Sequence, residues 1–238
     1  LELLGTTYFK GGFLQRSNEI FLRILKFSPR NKNALKSLLL VNEKLKNFKK
    51  SKEIAQALEE LNIDVSVEKV YFDTLIILND PILSYEKRTE LLFEIFKENK
   101  IIQRIFATFL IQSDREFFFS NIDMFDCEKL IDILWYQKKE DIDFDKIKNN
   151  QFLNELYSAK NYINSVSTSS DFDLNILILI NKYQKDIKTN LTFEFICNSC
   201  KHSSPFYEAR CPNCHSILSL EVKHHLTKAY ELSNQSLQ

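Results

Sequence analysis

Four cysteines near the end of the chain have the residue type and the spacing needed to bind a metal ion. They form two Cys-x-x-Cys pairs, Cys197 with Cys200 and Cys211 with Cys214, separated by ten residues. Each pair presents two thiolates to one side of a tight turn, and two facing turns complete a tetrahedron of sulfur around one ion. Four protein ligands leave no position for water or substrate, so the spacing predicts a structural site rather than a catalytic one.

Zinc is the ion that this ligand set is expected to hold, with iron as the alternative. A four-thiolate site without an electron-transfer setting usually holds zinc, although rubredoxin-type iron uses the same ligands. A redox pair or two unrelated cysteine pairs are the other interpretations, but a redox Cys-x-x-Cys normally belongs to a βαβ unit, and the sequence predicts none. A module of about 30 residues has too little core to fold alone, so the metal is expected to supply folding free energy. Paired cysteines in a chain of this size indicate a reducing compartment.

No other set of reactive residues has a catalytic pattern. Cys127 is predicted to be a buried apolar residue, His202 and His215 to be exposed neighbours of the ligands, and His224 with His225 to be solvated in a tail. The sequence contains no phosphate-binding glycine loop, no Ser/His/Asp arrangement and no His-Glu-x-x-His helix. The chain is therefore predicted not to be an enzyme.

The composition predicts a helical protein without a nucleic-acid partner. Only 3 glycines and 4 prolines occur in 238 residues, whereas sheet-rich folds use many turns that draw on both residues. The 20 phenylalanines indicate a substantial core. Lys plus Arg and Asp plus Glu both total 32, which gives no basic footprint of the kind that nucleic-acid binding requires.

The beginning of the chain repeats with a period of 34 residues. Leu1, Leu4, Ser17, Ile20 and Ile24 are followed at that interval by Leu35, Leu38, Ser51, Ile54 and Leu58. This is the period of tetratricopeptide helix–turn–helix units. The first 34-residue repeat also has the tetratricopeptide spacing at Leu4-Gly5, Tyr8, Ser17, Phe21 and Pro29. A small residue at position 17 lets two helices approach closely; ordinary helical hairpins with accidental matches are the alternative.

The remaining sequence predicts further helices and then a change of structure. Helices are expected at 67–78, 85–98, 101–113, 127–137, 145–162 and 171–187. Residues 191–196 alternate in polarity and predict a strand that leads into the first cysteine pair. We therefore predict a mainly α chain: a stacked tetratricopeptide-like array (an α-solenoid) at 1–190, a zinc ribbon at 191–220, and a terminal helix or tail at 221–238.

A helical-repeat array that ends in Cys-x2-Cys-x10-Cys-x2-Cys resembles the lipopolysaccharide assembly protein B family. The resemblance rests on the segments from Leu4 to Pro29 and from Phe195 to Cys214, and it implies tetratricopeptide repeats followed by a rubredoxin-like zinc ribbon. That family usually has glycine after its second cysteine, where this chain has Lys201. Glycine eases a positive φ angle, so strain is expected at Lys201.

The resemblance also implies a function. Members of that family are non-enzymatic scaffolds at the cytoplasmic face of the bacterial inner membrane, and they regulate proteolysis by an FtsH-type membrane AAA+ protease in the control of lipopolysaccharide synthesis. The implied partners are the protease and its client. The alternatives are a chaperone that protects a membrane client, such as a flagellar motor or secretion component, a nucleic-acid-binding ribbon, and an enzyme with an unrecognised site. The chain itself is expected to be soluble, with membrane association through an upstream segment.

Partner proteins are expected to dock along the concave face of the helical array. Stacked helix pairs curve, and their inner helices line an extended groove. In the first two repeats, the residues predicted to face this groove are Thr7, Lys10, Asn42 and Leu45.

Overall fold

Helices account for most of the chain, as the scarcity of glycine and proline predicts. The structure is a computed structural model that describes residues 1–184 and 189–228. It divides into two compact units, Leu1–Ile102 and Gln103–Gln238. Among the described residues, every helix falls short, in length or in apolar content, of what a membrane-spanning segment requires.

The first unit consists of six α-helices that pack in sequence, each against the next. They are α1 (Glu2–Lys10), α2 (Leu14–Phe27), α3 (Lys32–Lys44), α4 (Phe48–Glu59), α5 (Ser66–Leu78) and α6 (Tyr85–Glu98), followed by a 3-10 turn at Lys100–Ile102. Asn31 and Ser84 begin α3 and α6 by accepting hydrogen bonds from amides of the first turn. The helices predicted at 67–78 and 85–98 are confirmed as α5 and α6.

The first hairpin is closely packed because small residues lie between its helices. Helices α2 and α4 begin 34 residues apart, and the fourth residue of each, Ser17 or Ser51, is fully buried. The Ser17 hydroxyl donates to the carbonyl oxygen of Gly5 at 2.8 Å. A Cβ atom on Gly5 would lie 2.8 Å from Cζ of Phe21, so the glycine provides the space that the phenylalanine ring fills.

The second unit begins with shorter helices joined by 3-10 turns. They are α7 (Gln103–Ser113), α8 (Arg115–Ser120), α9 (Ile131–Trp135), α10 (Phe144–Ile147), α11 (Gln151–Ala159) and α12 (Phe172–Tyr183). The single helices predicted at 127–137 and at 145–162 are each divided into two shorter helical segments. The Asn150 side chain accepts a hydrogen bond from the Leu153 amide and starts a new helix there. Asp114 caps α8 in the same way, which agrees with the prediction that this residue ends one helix or caps the next.

A three-stranded antiparallel sheet completes the second unit. Its strands are β1 (Thr189–Cys197), β2 (Ser203–Ser204) and β3 (Leu220–Lys228), in the order β2-β1-β3. The predicted strand at 191–196 is confirmed as part of β1. The terminal helix or tail predicted from 221 is wrong for residues 221–228, because these residues belong to β3, which pairs along the whole of β1, from Cys197 with Leu220 to Thr189 with Lys228. Residues 229–238 and 185–188 lie outside the described part of the chain.

The predicted domain boundary near Asn190 lies inside the second compact unit. The sheet packs against α9 and α12 within that unit, and the division of the chain falls between Ile102 and Gln103. The helices from α7 onward therefore group with the sheet.

Replacing Gly5 with Ala should destabilise the first hairpin by about 1–3 kcal/mol, because the new methyl group would overlap the Phe21 ring. Hydrogen–deuterium exchange of the full chain should show faster exchange across α1 and α2. Adding Phe21→Leu should recover part of the loss, since the smaller side chain vacates the same space. Additive losses in the double variant would contradict the proposed overlap.

Candidate metal centre

The fold brings the four predicted cysteines together. Their sulfur atoms all lie within 4.8 Å of one another, with Cys197 and Cys214 at 3.6 Å and Cys200 and Cys211 at 3.7 Å. Four thiolates at about 2.3 Å from a tetrahedral ion are separated by edges of about 3.8 Å. The cluster could therefore hold a metal ion with four protein ligands.

The two Cys-x-x-Cys turns have the same hydrogen bonds. In the first, the Cys197 amide donates to the His202 carbonyl at 2.9 Å, and the Lys201 amide donates to the Cys197 carbonyl at 2.8 Å. In the second turn, the Cys211 amide donates to the Ser216 carbonyl at 2.9 Å, and the His215 amide donates to the Cys211 carbonyl at 3.0 Å. Each turn thus holds its two sulfur atoms on one side of the backbone, and the two turns approach each other as equivalent halves of one site.

Both turns require a left-handed residue immediately after the second cysteine. Lys201 has a φ of 60° and His215 a φ of 63°. Side chains with a Cβ atom are disfavoured there by roughly 1–2 kcal/mol, which confirms the strain expected at Lys201. Both His202 and His215 are exposed and neither belongs to the cysteine cluster, as the sequence predicts.

Hydrogen-bond donors favour the thiolate form of Cys197 and Cys214, whereas burial favours the thiol form of Cys211. Burial acts to raise the pKa of Cys197, but the Ser219 hydroxyl and nearby backbone amides lower this pKa to about 5. The Ser216 hydroxyl and amide lower the pKa of Cys214. Burial raises the pKa of Cys211 to about 11. Such donors provide the supporting interactions that a thiolate ligand needs beyond the metal itself.

Arg104 of α7 connects the cysteine-bearing sheet to the helices. Its guanidinium pairs with the Asp132 carboxylate of α9, with Nη1 and Oδ1 at 3.0 Å; their side chains are only 12% and 11% exposed. The same guanidinium lies 4.1 Å from the Tyr207 ring centroid and 5.2 Å from that of Phe195. These rings pack in the cluster that contains Cys197 and Cys211. One continuous core therefore includes two of the four clustered cysteines and the contact with the helices.

Additional contacts hold the edges of the sheet. The Trp135 indole donates to the Asn190 side chain at 2.9 Å. His224 lies 3.0 Å from an oxygen of Asp171, and His225 contacts Glu194 at 3.1 Å. The prediction that the two histidines lie in a tail is therefore wrong, since β3 places each of them beside an acidic side chain. His225 is exposed to solvent, as expected, and His224 is half-buried.

Cys127 is separate from the cluster and buried, as predicted. Its side chain is 6% exposed, and burial raises the pKa of its thiol to about 12. It lies at the start of a 3-10 turn rather than in the interior of a helix.

The structure corrects the predicted partner surface at one position. Thr7 and Lys10 are exposed and Leu45 is half-buried, but Asn42 is only 1% exposed. The Asn42 amide points inward and donates to Asn18 and to the Leu38 carbonyl. The Asn42 side chain is therefore inaccessible to a partner protein, and a charged substitution at this position would bury an unpaired charge.

No protein-family model matches the chain, and no curated protein matches it. The candidate site is therefore described by its own residues.

We expect one ion per chain, with the four clustered thiols protected by it. After chelation, these cysteines should react with an alkylating reagent, whereas Cys127 should react only on unfolding because it is buried and its thiol has a raised pKa. Elemental analysis and mass spectrometry of the labelled peptides measure both effects. If the metal-free protein had the same melting temperature as the protein before chelation, the proposed metal site would be contradicted.

Replacing Lys201 with Gly should stabilise the metal-loaded protein by up to about 1 kcal/mol, because glycine adopts the positive φ without steric strain. Lys201→Ala is the matched control, since it removes the same side chain and keeps Cβ. Denaturant unfolding should show a gain for glycine alone. Equal gains in both variants would assign the effect to the lysine side chain.

Proposed function

We propose that the chain is a non-enzymatic adaptor that binds other proteins through its helical hairpins and holds a structural zinc ion. One observation carries this proposal: closely packed helical hairpins, with second helices that begin 34 residues apart, occur in the same chain as a four-thiolate cluster. Stacked hairpins provide extended surfaces for proteins. A site with four protein sulfurs gives stability to a fold and leaves no coordination position for a substrate.

Zinc is the proposed ion, and iron is the alternative. Zinc accepts a tetrahedral thiolate set without a redox requirement. The ligands share a core with Phe195 and Leu220, and burial of two of the sulfurs supports a role within the fold. We accordingly propose that the sheet with its two cysteine turns is a rubredoxin-like zinc ribbon.

The first two hairpins are proposed to be tetratricopeptide-like units. The burial of Ser17 and Ser51 at equivalent positions supports this assignment, as does the contact of Phe21 with Gly5. In such an array, Thr7, Lys10 and Leu45 remain candidates for contact with a partner, and Asn42 is excluded by its burial.

The similarity of motif layout to the lipopolysaccharide assembly protein B family supports a narrower proposal. The chain would act at the cytoplasmic face of a bacterial inner membrane and regulate the degradation of a client by an FtsH-type protease. Its partners would be that protease and the client.

Affinity capture from membranes of the source cells tests both levels of the proposal. The tagged protein should recover a membrane AAA+ protease and a client, and the half-life of that client should change when the protein is absent. Lys10→Glu should weaken capture, whereas Lys26→Glu, an equal charge change at another exposed lysine, should not. Recovery of nucleic acid without protein would overturn the adaptor proposal. Recovery of proteins without a protease would remove only the narrower one.

A further inference from the structure

The first unit contains an open cleft between the start of α4 and the end of α5. Its volume is about 650 Å³, within the size range of sites that bind small ligands. The apolar part of its lining comprises Phe48, Ile76, Pro81 and Ile82. Phe48 and Ile76 are half-buried, and the other two are exposed. Concave surfaces lined by apolar side chains with a few polar groups are typical of binding sites.

A fixed turn holds Ile82 in solvent at the edge of this cleft. The side chain is 91% exposed, and its backbone amide donates to the Asp80 carboxylate at 2.9 Å. The Arg88 guanidinium donates to the Asp80 carbonyl and lies over the Tyr85 ring at 5.6 Å. These contacts order the turn before any partner binds, which reduces the entropic cost of binding to it.

The rim of the cleft is positively charged. Residues 44–50 include four lysines and no acidic residue, and Lys46, Lys49 and Lys50 line the cleft. All three are exposed, and within the described residues none forms an ion pair, whereas the neighbouring Lys52 pairs with Asp73. The acidic residue in the lining, Asp80, already accepts the Ile82 amide.

We propose that this cleft binds a peptide segment in which apolar side chains are flanked by carboxylates. The apolar side chains pack against Phe48, Ile76 and Ile82, and the carboxylates pair with the three lysines. A concave surface favours a peptide over a lipid bilayer, because surfaces that bind a bilayer project their apolar side chains outward. The inference rests on the proposed function as an adaptor and assigns a partner contact to the helix ends.

A fluorescein-labelled twelve-residue peptide of alternating Leu-Phe and Asp-Glu pairs is the probe, and its isomer with Lys in place of each acid is the control peptide. Fluorescence anisotropy should show binding of the acidic peptide alone, weakened by salt. Lys49→Glu with Lys50→Glu should reduce the affinity at least about tenfold, and Ile82→Ser should reduce it several-fold. Lys32→Glu with Lys36→Glu, the same charge change on exposed residues of α3, should have no effect.

These variants are expected to fold. Acidic residues in the first turn of α4 interact favourably with the helix dipole, and Ile82 is exposed. Unchanged melting with lost binding supports the cleft. Equal binding by both lysine-pair variants, or no binding of the acidic peptide, overturns it.

Two further experiments distinguish a peptide ligand from a lipid surface, and the cleft from the adaptor function. Capture of anionic phosphatidylglycerol vesicles without the peptide, dependent on Lys49 and Lys50, would replace the peptide with a lipid surface and overturn the proposal. In affinity capture from membranes, recovery of partners that is unaffected by the Lys49 and Lys50 changes would reject the cleft and retain the adaptor function. The absence of any captured protein would reject the adaptor function itself.

Discussion

The buried guanidinium of Arg104 joins the sheet and the helices of the second unit into one core. A charge in this position is stable only because Asp132 neutralises it and aromatic rings occupy its faces. Removing one partner of such a pair typically costs about 3–5 kcal/mol, since the other charge remains buried. The orientation of Phe195 and Tyr207 on the sheet, and hence the packing around Cys197 and Cys211, therefore depends on a residue in the first helix of the unit.

The four clustered cysteines could be predicted because their spacing is a local feature of the sequence. The long-range contacts could not be predicted in this way. Each pair of cysteines lies within one turn, so sequence alone indicates which sulfur atoms lie together. Arg104 and Asp132 belong to different helices and contact each other only when the unit folds, and neither residue lies in a recognisable motif. The same limitation applies to β3, whose partner strand precedes both cysteine turns. Its polar, histidine-containing sequence gave no strong strand signal without that partner.

Residue type also misled the prediction at particular positions. Asparagine on a helix is usually exposed, but Asn42 finds hydrogen-bond partners between helices and is buried. In the second unit, Asn150 lies within the helix predicted at 145–162 but begins a new helix, whereas Asp114 caps α8 at a position where the sequence predicts a break or a cap. In the first unit, by contrast, the periodic small residues predicted the close approach at Ser17, because that contact lies within one hairpin.

The position of β3 after both cysteine turns affects the order of events during synthesis. The two cysteine turns precede the strand at Leu220–Lys228 in the chain and leave the ribosome before it, so an ion could join the two turns while that strand is still unpaired. Once Cys197 and Cys214 share an ion, the chain segment that must close to pair Cys197 with Leu220 is effectively much shorter. The entropic cost of closing a loop is smaller for a shorter loop, so the last strand can then pair with β1 more readily.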